Sequence, residues 1–72
     1  MKLVVFGPQK RLGAVEGDRV IDLNLAYAAY LSQAHNERLP YEMAAATVPA
    51  ELGTFIEAGQ RGIEGASRAI DH

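Results

Sequence analysis

The side chains able to do chemistry are few: His35, His72, Ser32, Ser67 and nine acids, with no cysteine at all. The two histidines are far apart in the chain, and neither has a second ligand at the spacing a metal site requires. His35 and Glu37 are two residues apart, which points them to different sides of a helix. His72 is the last residue given and is expected to fray. Ser32 precedes His35 by three residues, so contact on a helix is geometrically possible. Without an orienting carboxylate and an oxyanion hole, though, it makes a surface pair and not a nucleophile. Neither serine sits in a Gly-x-Ser-x-Gly turn. Gly59, Gly62 and Gly65 form GxxGxxG, but they follow a helix. The dinucleotide fingerprint needs GxGxxG between a strand and a helix, so a loosened or broken helix is expected instead.

Three residues remain as candidates for binding or an interface: Asp22, Tyr27 and Tyr30. Asp22 stands just before a helix, where an Asp caps free amides. It can also pair with Arg19 or Arg11, or contribute to a binding site. Tyr27 and Tyr30 are three apart, the spacing of a core edge or interface, with a ligand-facing pair as the alternative. Asp18 is accounted for by a turn. No residue qualifies as catalytic, metal-ligating or cofactor-binding.

The elements that must position these residues follow from period and punctuation. Residues 3–6 (LVVF) form a continuous β-branched-rich run that predicts a strand. Gly7 and Pro8 open a loop. Residues 12–15 predict a second strand, Gly17-Asp18 a two-residue hairpin turn, and residues 19–23 (RVIDL) a third. In that third strand Arg19, Ile21 and Leu23 share one face and Val20 and Asp22 the other, but which face is core stays open. The period then changes. Asn24 is expected to cap a helix that runs through Tyr27, Tyr30 and Leu31 and ends at Asn36. Leu39-Pro40 marks a break, and residues 41–47 predict a short helix. Pro49 suits the first turn of another helix carrying Leu52, Phe55 and Ile56, with Gly59 as its end. Residues 60–72 place Ile63, Ala66 and Ile70 on one stripe. Gly62 and Gly65 should make this the weakest element, at about 1 kcal/mol each relative to Ala. The class is α+β: a small three-stranded antiparallel meander followed by three to four short helices.

With 72 residues the chain is one domain, 1–72. A chain of this size buries only about 60% of its unfolded surface. Many apolar positions are alanine, each adding little buried area. Such a lean interior implies a further protein surface: a second copy, giving a homo-oligomer, or more protein. The net charge is -2, and the seven basic residues are scattered. No basic stripe suits nucleic acid, and no apolar run reaches the ~20 residues of a membrane span. Four apolar residues after Lys2 are too short for a signal-peptide core, so the cytoplasm is the expected location.

Taken in order, MKLVVF, then Arg11-Leu12-Gly13, then Gly17-Asp18-Arg19-Val20-Ile21-Asp22-Leu23 and the Ala/Tyr-rich segment from Asn24 resemble the amino-terminal region of fumarylacetoacetate hydrolase family enzymes. VPAELGTFIEAG, from Val48 to Gly59, resembles the family's helix that ends at a small residue before another short helix. The resemblance covers essentially the whole chain; its specificity lies in the ordered combination, not in any single motif. It implies a small α+β accessory domain preceding a β-rich catalytic domain. Such enzymes hydrolyse, isomerise, hydrate or decarboxylate β-diketo and 2-oxo acids. They use a divalent metal, commonly magnesium, held by carboxylates of the catalytic domain. No counterpart of those carboxylates falls in this chain, so no catalytic residue carries over. Its expected partners are that carboxy-terminal catalytic domain and a second copy, not nucleic acid or a membrane. A free-standing oligomerising module with no activity is the competing expectation, and a small-molecule binder using Tyr27, Tyr30 and Asp22 is a third.

Overall fold

A computed structural model describes all residues, Met1–His72. It has three strands, β1 (Lys2–Phe6), β2 (Arg11–Glu16) and β3 (Arg19–Asp22), and four helices, α1 (Leu23–Ala34), α2 (Pro40–Thr47), α3 (Leu52–Ala58) and α4 (Gln60–Asp71). The strands form one antiparallel sheet in the order β1-β2-β3. This is the expected α+β meander followed by helices. The Gly17-Asp18 turn pairs Glu16 with Arg19, and Gly17 supplies the positive φ of 63° that the tight reversal needs.

Side chains alternate along each strand, so the register sorts them by face. Leu3, Val5, Leu12, Ala14 and Ile21 lie on one face, and Val4, Phe6, Gly13, Val15 and Val20 on the other. The first face is the inner one: Leu12 and Ala14 are fully buried in a cluster with Leu23, Val48, Phe55 and Ala66. The question left open for the third strand is thereby answered, with Ile21 inward and Val20 outward. α1 runs directly out of β3 and lies over β2 and β3, while α2 and α4 pack against α1.

Three local expectations are corrected. The cap of α1 is Asp22, not Asn24. Its carboxylate accepts from the Leu25 amide, and the helix starts at Leu23 with no intervening loop. Pro49 is buried ahead of α3 and does not start it. Glu51 caps that helix, accepting from the Gly53 and Thr54 amides. The glycines of α4 do not break it: α4 is continuous over 12 residues. Gly62 and Gly65 are buried with Ala66 on its inner face, whereas Ile63, expected on the apolar stripe, is 45% exposed. A Cβ on Gly65 would lie 3.0 Å from Val48 Cγ2 and 3.1 Å from the Tyr27 ring. The absent side chains are what let α4 approach its neighbours. Gly59 joins α3 to α4 in one residue, at φ 64° and ψ -138°. Asn36, at φ 52°, takes the left-handed position just past α1, as expected of a helix end.

Candidate functional site

The densest polar constellation stands at one end of the sheet. Arg11 and Asp22 share the outer face on neighbouring strands. Arg11 Nε donates to Asp22 Oδ2 at 2.6 Å, and Nη2 donates to Asp22 Oδ1 at 3.2 Å and to Asn24 Oδ1 at 3.3 Å. Asn24 Nδ2 in turn donates to the Val48 carbonyl at 2.9 Å. Beside them the Leu12 amide donates to the Ala50 carbonyl at 2.6 Å, so the chain ahead of α3 continues the hydrogen bonding where β3 stops. The cluster thus ties β2, β3, α1 and the segment before α3 together. Partial burial alone would raise the Asp22 carboxyl. The Arg11 bond, the Leu25 amide and the Arg11 charge outweigh it and hold Asp22 below the usual carboxylate range. The same bond raises the Arg11 guanidinium. Both groups are therefore locked in their charged forms. A carboxylate so engaged is a poor proton carrier and a good rivet.

Tyr27 and Tyr30 are brought together on α1, with ring centroids 5.8 Å apart and near-parallel planes. Asp22 is not part of that group. It stands at the start of the helix, eight residues or about 12 Å of rise from Tyr30. Tyr30 anchors a second constellation that the sequence did not announce. Its hydroxyl is 2.8 Å from His35 Nε2, and the rings of His35 and His72 both meet it edge-on. His72 Nε2 also lies 2.9 Å from Gln33 Oε1. His72 thus lies against α1, and His35 turns to Tyr30 rather than Ser32. The i, i+5 spacing of Tyr30 and His35 is not a same-face spacing on a helix, and the contact forms because α1 ends at Ala34 and His35 leaves the helical path; the Gln33–His72 contact joins the end of α1 to the end of α4 and has no local signal.

Three surface hollows exist, of ≈ 260, ≈ 250 and ≈ 380 Å³. The largest lies between α1 and the start of α2, on a floor of Ala28, Ala29 and Ser32 with Leu25 and Tyr41 at its sides. The ≈ 250 Å³ hollow is bordered by Tyr27, Met43, Arg61, Glu64 and Arg68. The ≈ 260 Å³ hollow is bordered by Met1, Glu16, Ser67, Ile70 and Asp71, and none of the three hollows has a histidine in its lining to act as base to a hydroxyl. No three His, Asp or Glu side chains converge as metal ligands. The magnesium that the resemblance implies is expected on the carboxylates of the catalytic domain, and the residues of this chain form no donor set for it.

By fold, then, the chain is a small α+β protein whose sheet carries helices on one side only. No family model, no curated protein and no solved structure matches it. No helix is long and apolar enough to cross a membrane.

Proposed function

We propose that this chain is the non-catalytic amino-terminal accessory domain of a metal-dependent enzyme of the fumarylacetoacetate hydrolase family, one acting on β-diketo or 2-oxo acids by C–C hydrolysis, isomerisation or decarboxylation. The ordered resemblance is what supports the family in this reading. The observation that carries the accessory role is the outer face of the sheet. An antiparallel sheet that turns one face to water normally makes that face polar. Here the partly buried Val4, Phe6 and Val15 and the half-exposed Val20 occupy it, with Phe6 and Val20 closing over Gly13. Lys2 stands at one end and the mutually neutralised Arg11–Asp22 pair at the other. An apolar centre with a polar rim is the pattern of a surface that another protein covers. The covering layer is the catalytic domain, whose carboxylates hold the divalent metal.

The test has two arms. The isolated chain, given an acylpyruvate and magnesium, should turn over nothing above the metal-and-buffer blank; turnover would refute the proposal. The reading frame past codon 72 should continue into a β-rich domain bearing carboxylates, and a stop there would favour the free-standing module instead. That second reading draws its support from the unpaired outer edge of β1.

A further inference from the structure

We propose that β1 is a self-complementary edge through which two copies of this chain pair, antiparallel, into one six-stranded sheet centred on Val4. The direction of the free backbone groups follows from the hydrogen bonds already described. In an antiparallel strand the N–H and C=O of one residue point to the same side, and successive residues alternate. The Leu12 amide donates to Ala50, away from β1. Its partner Val5 therefore belongs to a pair without mutual hydrogen bonds, and so, two residues on, does Leu3 opposite Ala14. The N–H and C=O groups of Leu3 and Val5 thus point outward, past the last strand of the sheet. The Glu16–Arg19 pair beside the two-residue turn obeys the same alternation.

A second copy satisfies these groups in one register. A two-fold axis normal to the sheet keeps both helical layers on one side. Paired residues must then share a face, so their numbers sum to an even value. A sum of 8 sets Leu3 against Val5 of the other copy, twice. Every outward N–H and C=O of the two strands is then bonded. A sum of 6 sets Leu3 against Leu3, and a sum of 10 sets Val5 against Val5, and each pairs fewer residues of the strand. The sum of 8 also sets Val4 against Val4 and Lys2 against Phe6. The lysines finish at opposite ends of the ribbon, about 14 Å apart, beyond a Debye length at physiological salt.

β1 is short and begins with Lys2, but it carries little else that would oppose this pairing. β1 has no proline and no bulge, and its one charge is at its start. Those are the devices that blunt an edge. α1 lies over β2 and β3, which leaves Leu3 and Val5 at 39% and 48% exposure. The pairing would line them up with their copies between the two helical layers. It would also fuse the two outer faces into one surface. The edge alone is required, so this inference stands apart from the catalytic-domain proposal.

The chain lacks cysteine, which makes the test clean. Val4→Cys places a thiol on the axis in a pair without mutual hydrogen bonds, the closer type, with Cα atoms about 4.5 Å apart. Under mild oxidation it should form a disulfide dimer at least about tenfold faster than Ile56→Cys on exposed α3. Leu3→Cys mixed with Val5→Cys should cross-link faster than either variant alone. Sedimentation of the unmodified chain from about 5 to about 500 µM should show reversible dimers, as a small interface predicts. Val5→Lys should raise the dissociation constant at least about tenfold, with circular dichroism reporting that the fold is kept. Val20→Lys, on the far strand, should not. A monomer throughout, open-ended assemblies, equal cross-linking of Val4→Cys and Ile56→Cys, or a dimer lost with Val20→Lys but kept with Val5→Lys would each overturn the pairing.

Discussion

Asp22 accepts from Arg11 through both oxygens and from the Leu25 amide through one, so one carboxylate closes the sheet and starts the helix. Its protonation is therefore linked to folding. Its carboxyl is lowered in the folded chain, so the stabilisation is complete above the unfolded value, near 3.9, and is lost as pH falls through the folded one. Asp22→Asn keeps a capping oxygen and removes the charge. We expect it to cost about 1–2 kcal/mol at pH 7. The gap between wild type and variant, read from urea unfolding across pH, should hold above about pH 5 and shrink below about pH 4. A gap that widened in acid would contradict the linkage. Gly13 makes a second residue-scale demand. A Cβ there would lie 2.8 Å from Phe6 Cε1 and Val20 Cγ1 and 2.9 Å from the Ile21 carbonyl. The carbonyl is backbone and cannot swing aside, so Gly13→Ala should destabilise by about 1–3 kcal/mol despite the better strand propensity of alanine. The Arg-x-Gly stretch marked this glycine in the sequence, but the reason for it lies on β1 and β3. The Tyr27–Tyr30 contact, by contrast, is legible from spacing. The Arg11–Asp22 bond was one of two pairings open to Asp22, and only the register chose between Arg11 and Arg19.

Elements differ in how local their causes are. β2, β3 and their turn are written in a stretch where period, glycine and turn chemistry agree, and they form as expected. α4 is the opposite case. Its glycines argue against a helix when counted alone, yet helical packing outweighs propensity when the small residues face a neighbour. That facing cannot be seen without knowing that Val48 and Tyr27 arrive at Gly65. Gly65→Ala therefore sets a gain of about 1 kcal/mol in helix propensity against an overpacking cost of about 1–3 kcal/mol. We expect a net loss in chemical denaturation; a gain would mean that α4 does not pack at this distance. The start of α3 is hard to read from the residues because proline is a common first-turn residue, while Glu is outside the usual capping set. The Glu51 carboxyl is lowered by the Gly53 and Thr54 amides and the Thr54 hydroxyl. Glu51→Ala should lower the melting temperature at pH 7, and the difference should fade in acid as the wild-type carboxylate is protonated. The chosen face of the sheet was illegible for a different reason: both faces carry valines, so alternation alone does not say which one the helices cover.

At the scale of the whole molecule, the apolar residues divide between two tasks. Leu12, Leu23, Val48 and Phe55 close a core between sheet and helices. Val20 on the outer face, and Leu3 and Val5 on the edge, remain 39–49% exposed. The division gives two classes of substitution with different consequences. Phe55→Ala empties the core and should cost about 3–5 kcal/mol, enough to leave so small a domain largely unfolded. Val20→Lys replaces a half-exposed side chain on a face that no helix covers, and the lysine stem can still lie over Gly13. The substitution should change the unfolding free energy by no more than about 0.5 kcal/mol. In a polypeptide that carries the domain meant to cover that face, the same lysine would be buried without a partner. There it should loosen the junction, read as faster proteolysis between the two units and a lower melting temperature, with the 72-residue chain as the control. If Val20→Lys unfolded the isolated chain as Phe55→Ala does, the outer face would belong to the core, and the sheet would have no free side to offer a neighbour.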